Sequence, residues 1–333
     1  MDDRRFTTTR RHVLAGGAAL LAPLAGSGPA WADFVTRSGG LTIGTYTSDP
    51  KTVDAVNTHW IEAPEGLIVI DVQRLLPEAR RARDVMLATG KPIRAVLVTH
   101  DHTDHFAGLQ VMREAAPDAV FLAAEPTIRT MRDDTFGFNA ARRKRHGDLF
   151  PSQEVINANL PDRVVGHGEK ITLAGLDVEI LELTPGEANG AAMLHAPDHA
   201  TIFPGDIVQH DKIPMPFVSH ETWLAQLEAL SAVLPGETTA FQGHGRPERF
   251  DVLARETARY LTTARDKVIE KLDEGRELRP AAVEALVAEL SAAFPFHVAG
   301  GGADRAGAIA GLSRRIAAQA NAGDAGGPVF AAG

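Results

Sequence analysis

The chain contains no cysteine. Disulfides and thiolate metal ligands are thereby excluded, and any metal ion must rest on His, Asp and Glu. The absence also suits an oxidising compartment without identifying one. Positive charge is in short supply: 34 basic residues stand against 43 acidic ones, a net charge of −9. That balance argues against nucleic acid as the main partner, because phosphate binding needs a basic surface. The densest basic run is Arg142-Arg143-Lys144-Arg145, which reads as a solvated face. No apolar run is long enough to span a bilayer. No Gly-x-Ser-x-Gly elbow offers a serine nucleophile. What remains is an ordinary soluble composition, 44% apolar over 333 residues. That length suffices for one large domain or two small ones with a sizeable core.

The first 32 residues read as an export signal. Thr9-Arg10-Arg11-His12-Val13-Leu14 resembles a twin-arginine motif, with Val13 and Ala15 where Phe and Lys are usual. A modestly apolar stretch, Val13 to Leu24, leads to Ala30-Trp31-Ala32, a small-x-small cleavage site. Losing its four arginines and two aspartates takes the net charge from −9 to −11. The expected location is periplasmic or secreted. The twin-arginine route exports folded proteins, so a metal site could load in the cytoplasm.

From Asp33 short β-like runs alternate with helical ones. Strands are expected at Leu41–Tyr46, His59–Glu62, Leu67–Asp71, Arg94–Thr99 and Ala119–Ala123. Helices are expected at Leu75–Thr89, Asp104–Ala116 and Glu125–Asp133. Residues 134–154 are polar and read as a loop or lid. A second round follows, with strands at Val164-Val165, Glu169–Leu173, Asp177–Leu183, Ala191–His195, Thr201–Phe203 and Thr239–Phe241, and a helix at Thr222–Leu234. Beyond Arg249 the apolar spacing is helical over Phe250–Glu274 and Pro280–Ala293. The Gly/Ala-rich stretch from Asn321 reads as disordered.

The chemistry concentrates in His100-Asp101-His102-Thr103-Asp104-His105. This segment follows a buried strand and opens a helix. His100 and His102 can point to one side, while Asp104 and His105 turn away at the helix start. Such a loop can hold two cations a few Å apart, because zinc takes imidazole and carboxylate readily. Further ligands are needed, and three candidates follow strands in the second half: Glu187 after Thr184-Pro185-Gly186, Asp206 after Gly205, and His244 between Gly243 and Gly245. Glycine beside each lets the backbone bend sharply and the side chain approach an ion.

The motif His-x-His-x-Asp-His resembles the signature of the metallo-β-lactamase superfamily, and the resemblance runs from about Leu41 to Arg246. It implies an α+β fold, an αββα sandwich with metals at one edge of two sheets. The expected layout is this sandwich over 33–248, a C-terminal helical extension over 249–320 and a disordered tail over 321–333. The resemblance also implies the ligand sharing: His100 and His102 on one metal, Asp104, His105 and His244 on the other, and Asp206 bridging. Glu187 stands where the third motif usually has His; the alkylsulfatase branch looks similar there, but its members are much longer. With Asp104, Glu187 and Asp206, three carboxylates face two dications, a less positive site than the His version. Zinc remains the first expectation, with Mn or Fe as harder alternatives.

The implied activity is hydrolysis of a small-molecule ester, lactone, β-lactam, sulfate ester or phosphoester. A hydroxide shared by the two metals would attack, and Asp104 and Asp206 would act at the reacting centre. A mononuclear iron oxygenase of the same fold and a non-catalytic binding protein are the alternatives. His220 and Arg246 are candidate substrate contacts, and His195 a candidate substitute ligand. The helices after Arg249 could cap the pocket or form a homodimer face.

Overall fold

Residues 33–49, 55–210, 212–299, 304–324, 326–327 and 329–331 are described by a computed structural model. The signal-segment reading of residues 1–32 lies outside them. The alternating and fully apolar runs of the first half build one sheet. β1 (Asp33–Ser38), β2 (Leu41–Thr47), β3 (Asn57–Ala63) and β4 (Gly66–Ile70) form an antiparallel meander. After α1 (Leu76–Leu87) the chain enters β5 (Ile93–Leu97), parallel to β4. The helices α2 (Thr103–Phe106) and α3 (Leu109–Ala115) lead to β6 (Val120–Ala123). Then α4 (Glu125–Asp133), α5 (Phe138–His146) and α6 (Gln153–Ala158) lead to β7 (Arg163–Val164), so that β4 to β7 run parallel.

The second sheet takes β8 (Lys170–Leu173), β9 (Leu176–Leu183), β10 (Ala191–Ala196) and β11 (Thr201–Phe203) in antiparallel succession. Beyond α7 (His220–Val233), β12 (Thr239–Ala240) joins β11 in parallel and β13 (Glu248–Arg249) closes the edge. The order is therefore β13-β12-β11-β10-β9-β8. Strands β9, β11 and β12 point the same way, so their carboxyl ends meet at one edge. Three helices end the chain: α8 (Phe250–Glu270), α9 (Pro280–Ala293) and α10 (Arg305–Ala322).

Every residue of β4 and of β10 is buried, as expected for strands covered on both faces. The layers explain this. Ile43, Ile68, Leu97, Ile180, Leu194 and Phe203 fill the space between the sheets. Trp60, Val96, Met112 and Phe121 pack the outer face of the first sheet against its helices. Met193, Ile202, Trp223 and Leu253 do the same for the second sheet with α7 and α8. This is the expected αββα sandwich. The terminal helices add a core of their own around Tyr260, Leu286, Leu290, Leu312 and Ile316.

The structure corrects several local expectations. The helix expected over Asp104–Ala116 breaks at Gly108, whose amide donates to Gln73 O at 3.1 Å. A Cβ at Gly108 would lie 1.9 Å from Val72 O, so this approach requires glycine. Residues 134–154 form α5 and enter α6 rather than a loop. Gly137, at φ 69, turns the chain into α5, and Arg143, Lys144 and Arg145 sit in its last turn, complementing the helix dipole. Strands β1 and β13 were not anticipated. The stretch from Asn321, read as disordered, starts within α10, and Val329 O accepts from Thr184 N at 3.2 Å. The backbone of Val329 to Ala331 thus pairs with the end of β9, which composition does not reveal.

Candidate metal centre

Each candidate ligand lies just beyond the carboxyl end of a strand. His100 to His105 follow β5, Glu187 follows β9, Asp206 follows β11 and His244 follows β12. The two sheets are stitched together at this point. Ala192 N donates to Thr99 O at 2.8 Å, and Asn57 N donates to Gly243 O at 2.8 Å. Gly243 is needed for the close approach: a Cβ there would lie 2.3 Å from Asp206 Oδ1 and 2.6 Å from His105 Cε1.

All seven expected ligands are buried and fall into two groups. The first holds His100, His102, Glu187 and Asp206; the second holds Asp104, His105 and His244. In each, the ligand atoms lie within 4.8 Å of one another. His102 Nδ1 is 3.0 Å from His100 Nε2 and 3.4 Å from Glu187 Oε1. Asp206 reaches the second group as well, with Oδ1 3.5 Å from His105 Nε2 and Oδ2 3.2 Å from His244 Nε2. Asp104 Oδ2 is 3.5 Å from His244 Nε2.

Outer partners fix the rings. His105 Nδ1 lies 2.8 Å from Asp71 Oδ2, His100 Nδ1 lies 2.9 Å from Thr99 Oγ1, and His244 Nδ1 lies 2.9 Å from Ala55 O. Each contact turns Nε2 towards the centre. Arg74 Nη2 bonds Asp104 Oδ2 at 3.0 Å. Neither Asp71 nor Arg74 was anticipated. The available signal for Asp71 was a lone acid ending the wholly apolar run Leu67–Ile70; Arg74 left none.

The electrostatics suit cations. Burial, reinforced by the carboxylates of Asp206 and Asp101, pushes Glu187 well above the ordinary carboxylate range. Burial opposes charging His105, yet Asp206, Asp71 and Asp104 hold its pKa well above normal. Such crowding of carboxylates is costly unless positive charge compensates. Asp206 Oδ1 and His105 Nε2 are buried with no hydrogen-bond partner although they face each other at 3.5 Å. The all-imidazole and carboxylate donor set fits divalent zinc, manganese or iron.

A cavity of about 370 Å³ opens onto the centre. Asp104, Glu187, Asp206, His102 and His244 form its polar floor, while Phe138, Met215, Phe217 and Ala308 supply apolar wall. Arg142, from the run read as a solvated face, also lines it. The two expected substrate contacts do not line it. His220 is buried between Gln319 Oε1 at 2.8 Å and Asp324 Oδ2 at 3.0 Å, because it opens α7 where α10 packs. Arg246 is exposed, carried outward by the turn in which Gln242 Nε2 donates to its carbonyl. His195 lies 3.8 Å from Glu179 and belongs to neither ligand group.

Comparison with known proteins follows the same lines. The profile described as the metallo-beta-lactamase superfamily matches residues 52–244. The chain is 25% identical over 276 residues to a linear primary-alkylsulfatase of Pseudomonas sp., covering 72% of this chain and 50% of that protein. It is 25% identical over 168 residues to hydroxyacylglutathione hydrolase of Rhizobium meliloti, covering 50% of this chain and 54% of that one. A solved sec-alkylsulfatase from Pseudomonas sp. superposes with a TM-score of 0.61 at 16% identity, covering 91% of this chain and 50% of that chain. The chain thus spans about half the length of the curated relatives it matches.

Proposed function

The chain belongs to the metallo-beta-lactamase superfamily, and from that premise we propose that it is a metal-dependent hydrolase of a small molecule, using two divalent cations. The observation that carries this reading is the pair of adjoining buried ligand groups, with Asp206 reaching both, at the floor of a cavity. His100, His102 and Glu187 would hold one cation and Asp104, His105 and His244 the other, with Asp206 shared. When bound, the cations would supply Lewis acidity to the scissile group and activate water at neutral pH.

The chain's own residues do the rest. Asp71 and Thr99 orient His105 and His100. Arg74 holds the Asp104 carboxylate in its ionised form against the cost of burial. Asp104 borders the cavity, where its ionised carboxylate could accept a hydrogen bond from the attacking water and orient it. Phe138 and Phe217 keep the approach to His102 apolar, with ring centroids 6.3 and 4.5 Å from it. A complete second ligand group favours this reading over a mononuclear oxygenase. The names of the relatives support hydrolysis and leave the bond type open among ester, lactone, β-lactam, sulfate ester and phosphoester. Export by the twin-arginine route belongs to the same proposal and rests on residues 9–32 alone.

The test is a substrate panel spanning those bond types, run on metal-loaded protein alongside elemental analysis. Two cations per chain and turnover of one bond type are expected. His102→Ala and Asp206→Ala should each abolish turnover while the protein stays folded; activity surviving in either, or less than about one metal per chain, removes the dinuclear assignment.

A further inference from the structure

The cavity is cationic in an acidic protein. Its three carboxylates, Asp104, Glu187 and Asp206, are all ligands, so bound cations would more than neutralise them. Four basic side chains line the same space: Arg74, Arg142, Lys212 and Arg315. Arg74 is spent on Asp104. Arg315 is different. It comes from α10, outside the sandwich, and no carboxylate among the described residues pairs with it. Its guanidinium lies 4.5 Å above the Phe217 ring and is half-buried, and burial pulls its pKa below normal with no acid opposing the shift. A half-desolvated cation beside an apolar wall is stabilised by an anion, and the cavity is where one can come from.

The position of Arg315 decides which anion. The Phe217 ring touches both neighbours, 4.5 Å from the Arg315 guanidinium and with its centroid 4.5 Å from that of His102, while Arg315 makes no ion pair with Asp104, Glu187 or Asp206. Unlike Arg74, Arg315 therefore stands beside the ligand groups rather than among them, and is free to hold an anion other than the reacting group. On the hydrolase reading above, we propose that Arg315 is a specificity residue for a second, non-reacting anionic group of the substrate. Arg142 and Lys212 line the same cavity. Phe138, Phe217 and Met215 give the cavity an apolar wall. The substrate class is then a hydrolysable small molecule with an apolar spacer ending in a carboxylate or similar anion, rather than a plain alkyl chain.

Two non-hydrolysable probes test this by calorimetry on the metal-loaded protein: octanoate, and octanedioate, which adds a second carboxylate at the far end of the same apolar spacer. Octanedioate should bind about tenfold more tightly, the worth of one charge-assisted contact. Arg315→Gln should erase that preference and leave octanoate affinity within about twofold, while Arg315→Lys should keep part of it. Equal binding of the two probes by the unmodified protein overturns the subsite, as does a preference that survives Arg315→Gln. Failure of the hydrolase reading looks different: no bond type is turned over, whatever the probes do. Turnover without any preference overturns the subsite alone.

Discussion

Asp71 belongs to neither ligand group and acts through His105. It sits at φ 59, a left-handed conformation that a non-glycine residue adopts at a cost, immediately after the buried strand β4. From there it accepts from Thr99 N at 2.8 Å and lies 2.8 Å from His105 Nδ1. Asp71→Asn keeps the shape but removes the charge that sets the tautomer of His105. Metal affinity of the Asp104, His105 and His244 group should fall roughly 10- to 100-fold with the fold retained. A metal titration of the variant matching the unmodified protein would show that Asp71 is merely structural. His59 gives a second test. Its ring lies 2.8 Å from Thr45 Oγ1 and 2.9 Å from Gln242 O, and burial lowers its pKa to about 4. Native His59 is thus neutral where an unfolded histidine, near its ordinary value of 6.5, starts to protonate. Its contribution is present above pH 6.5 and lost as pH falls towards about 4. The loss amounts to about 3 kcal/mol at most. Urea denaturation at stepped pH should therefore show a shallower acid decline for His59→Gln; parallel declines would refute the assignment. Residues such as His100 or Asp206 were legible in the sequence because motif and neighbouring glycine mark them locally. Asp71, Arg74 and Arg315 were not, because their roles exist only across strand and helix contacts.

At the scale of elements, α10 holds the segment that braces the loop carrying Glu187. Gln319 Nε2 donates to Pro216 O at 3.0 Å, and Gln319 Oε1 accepts from His220 N at 3.2 Å. The segment between them pairs with the third motif: Phe217 N donates to Glu187 O at 3.1 Å and Ser219 N to Gly186 O at 2.9 Å. A helix far along the chain thus positions Glu187 through one turn of loop. Gln319→Ala should loosen that loop, leaving His220 with one partner fewer. Metal affinity should weaken at the His100, His102 and Glu187 group while the other group is unaffected. Site-resolved titration with a spectroscopically active metal would read this; an equal loss at both groups would mean general destabilisation instead. Apolar spacing announced helices after Arg249, and Pro280–Ala293 was located to the residue. It could not say where they dock, since one apolar stripe fits a core, a cap or a partner equally. The helix α5 was missed for a related reason. Its face is mostly charged, with Asn139 its buried residue, so periodicity had nothing to register.

For the whole molecule, the ligand set joins the two sheets. His100, His102, Asp104 and His105 leave the first sheet after β5, whereas Glu187, Asp206 and His244 leave the second after β9, β11 and β12. Each ligand group therefore draws on both sheets, and a bound cation resists their separation as well as neutralising buried carboxylates. Binding to the folded chain alone stabilises it by mass action: a cation at about a hundred times its dissociation constant adds about 2.7 kcal/mol per site. For a chain of this size that is several degrees of melting temperature. Chelation should lower the melting temperature by that order, and restoring the metal should return it. Asp206→Asn should shrink the chelator effect at both groups at once, because Asp206 is the residue placed within 3.5 Å of His105 and His244 while grouped with His100 and His102. Glu187→Gln, confined to one group, should remove about half of it. A melting temperature indifferent to chelation would mean that the sheets are held by the core between them alone, and that the centre is a passenger on the fold.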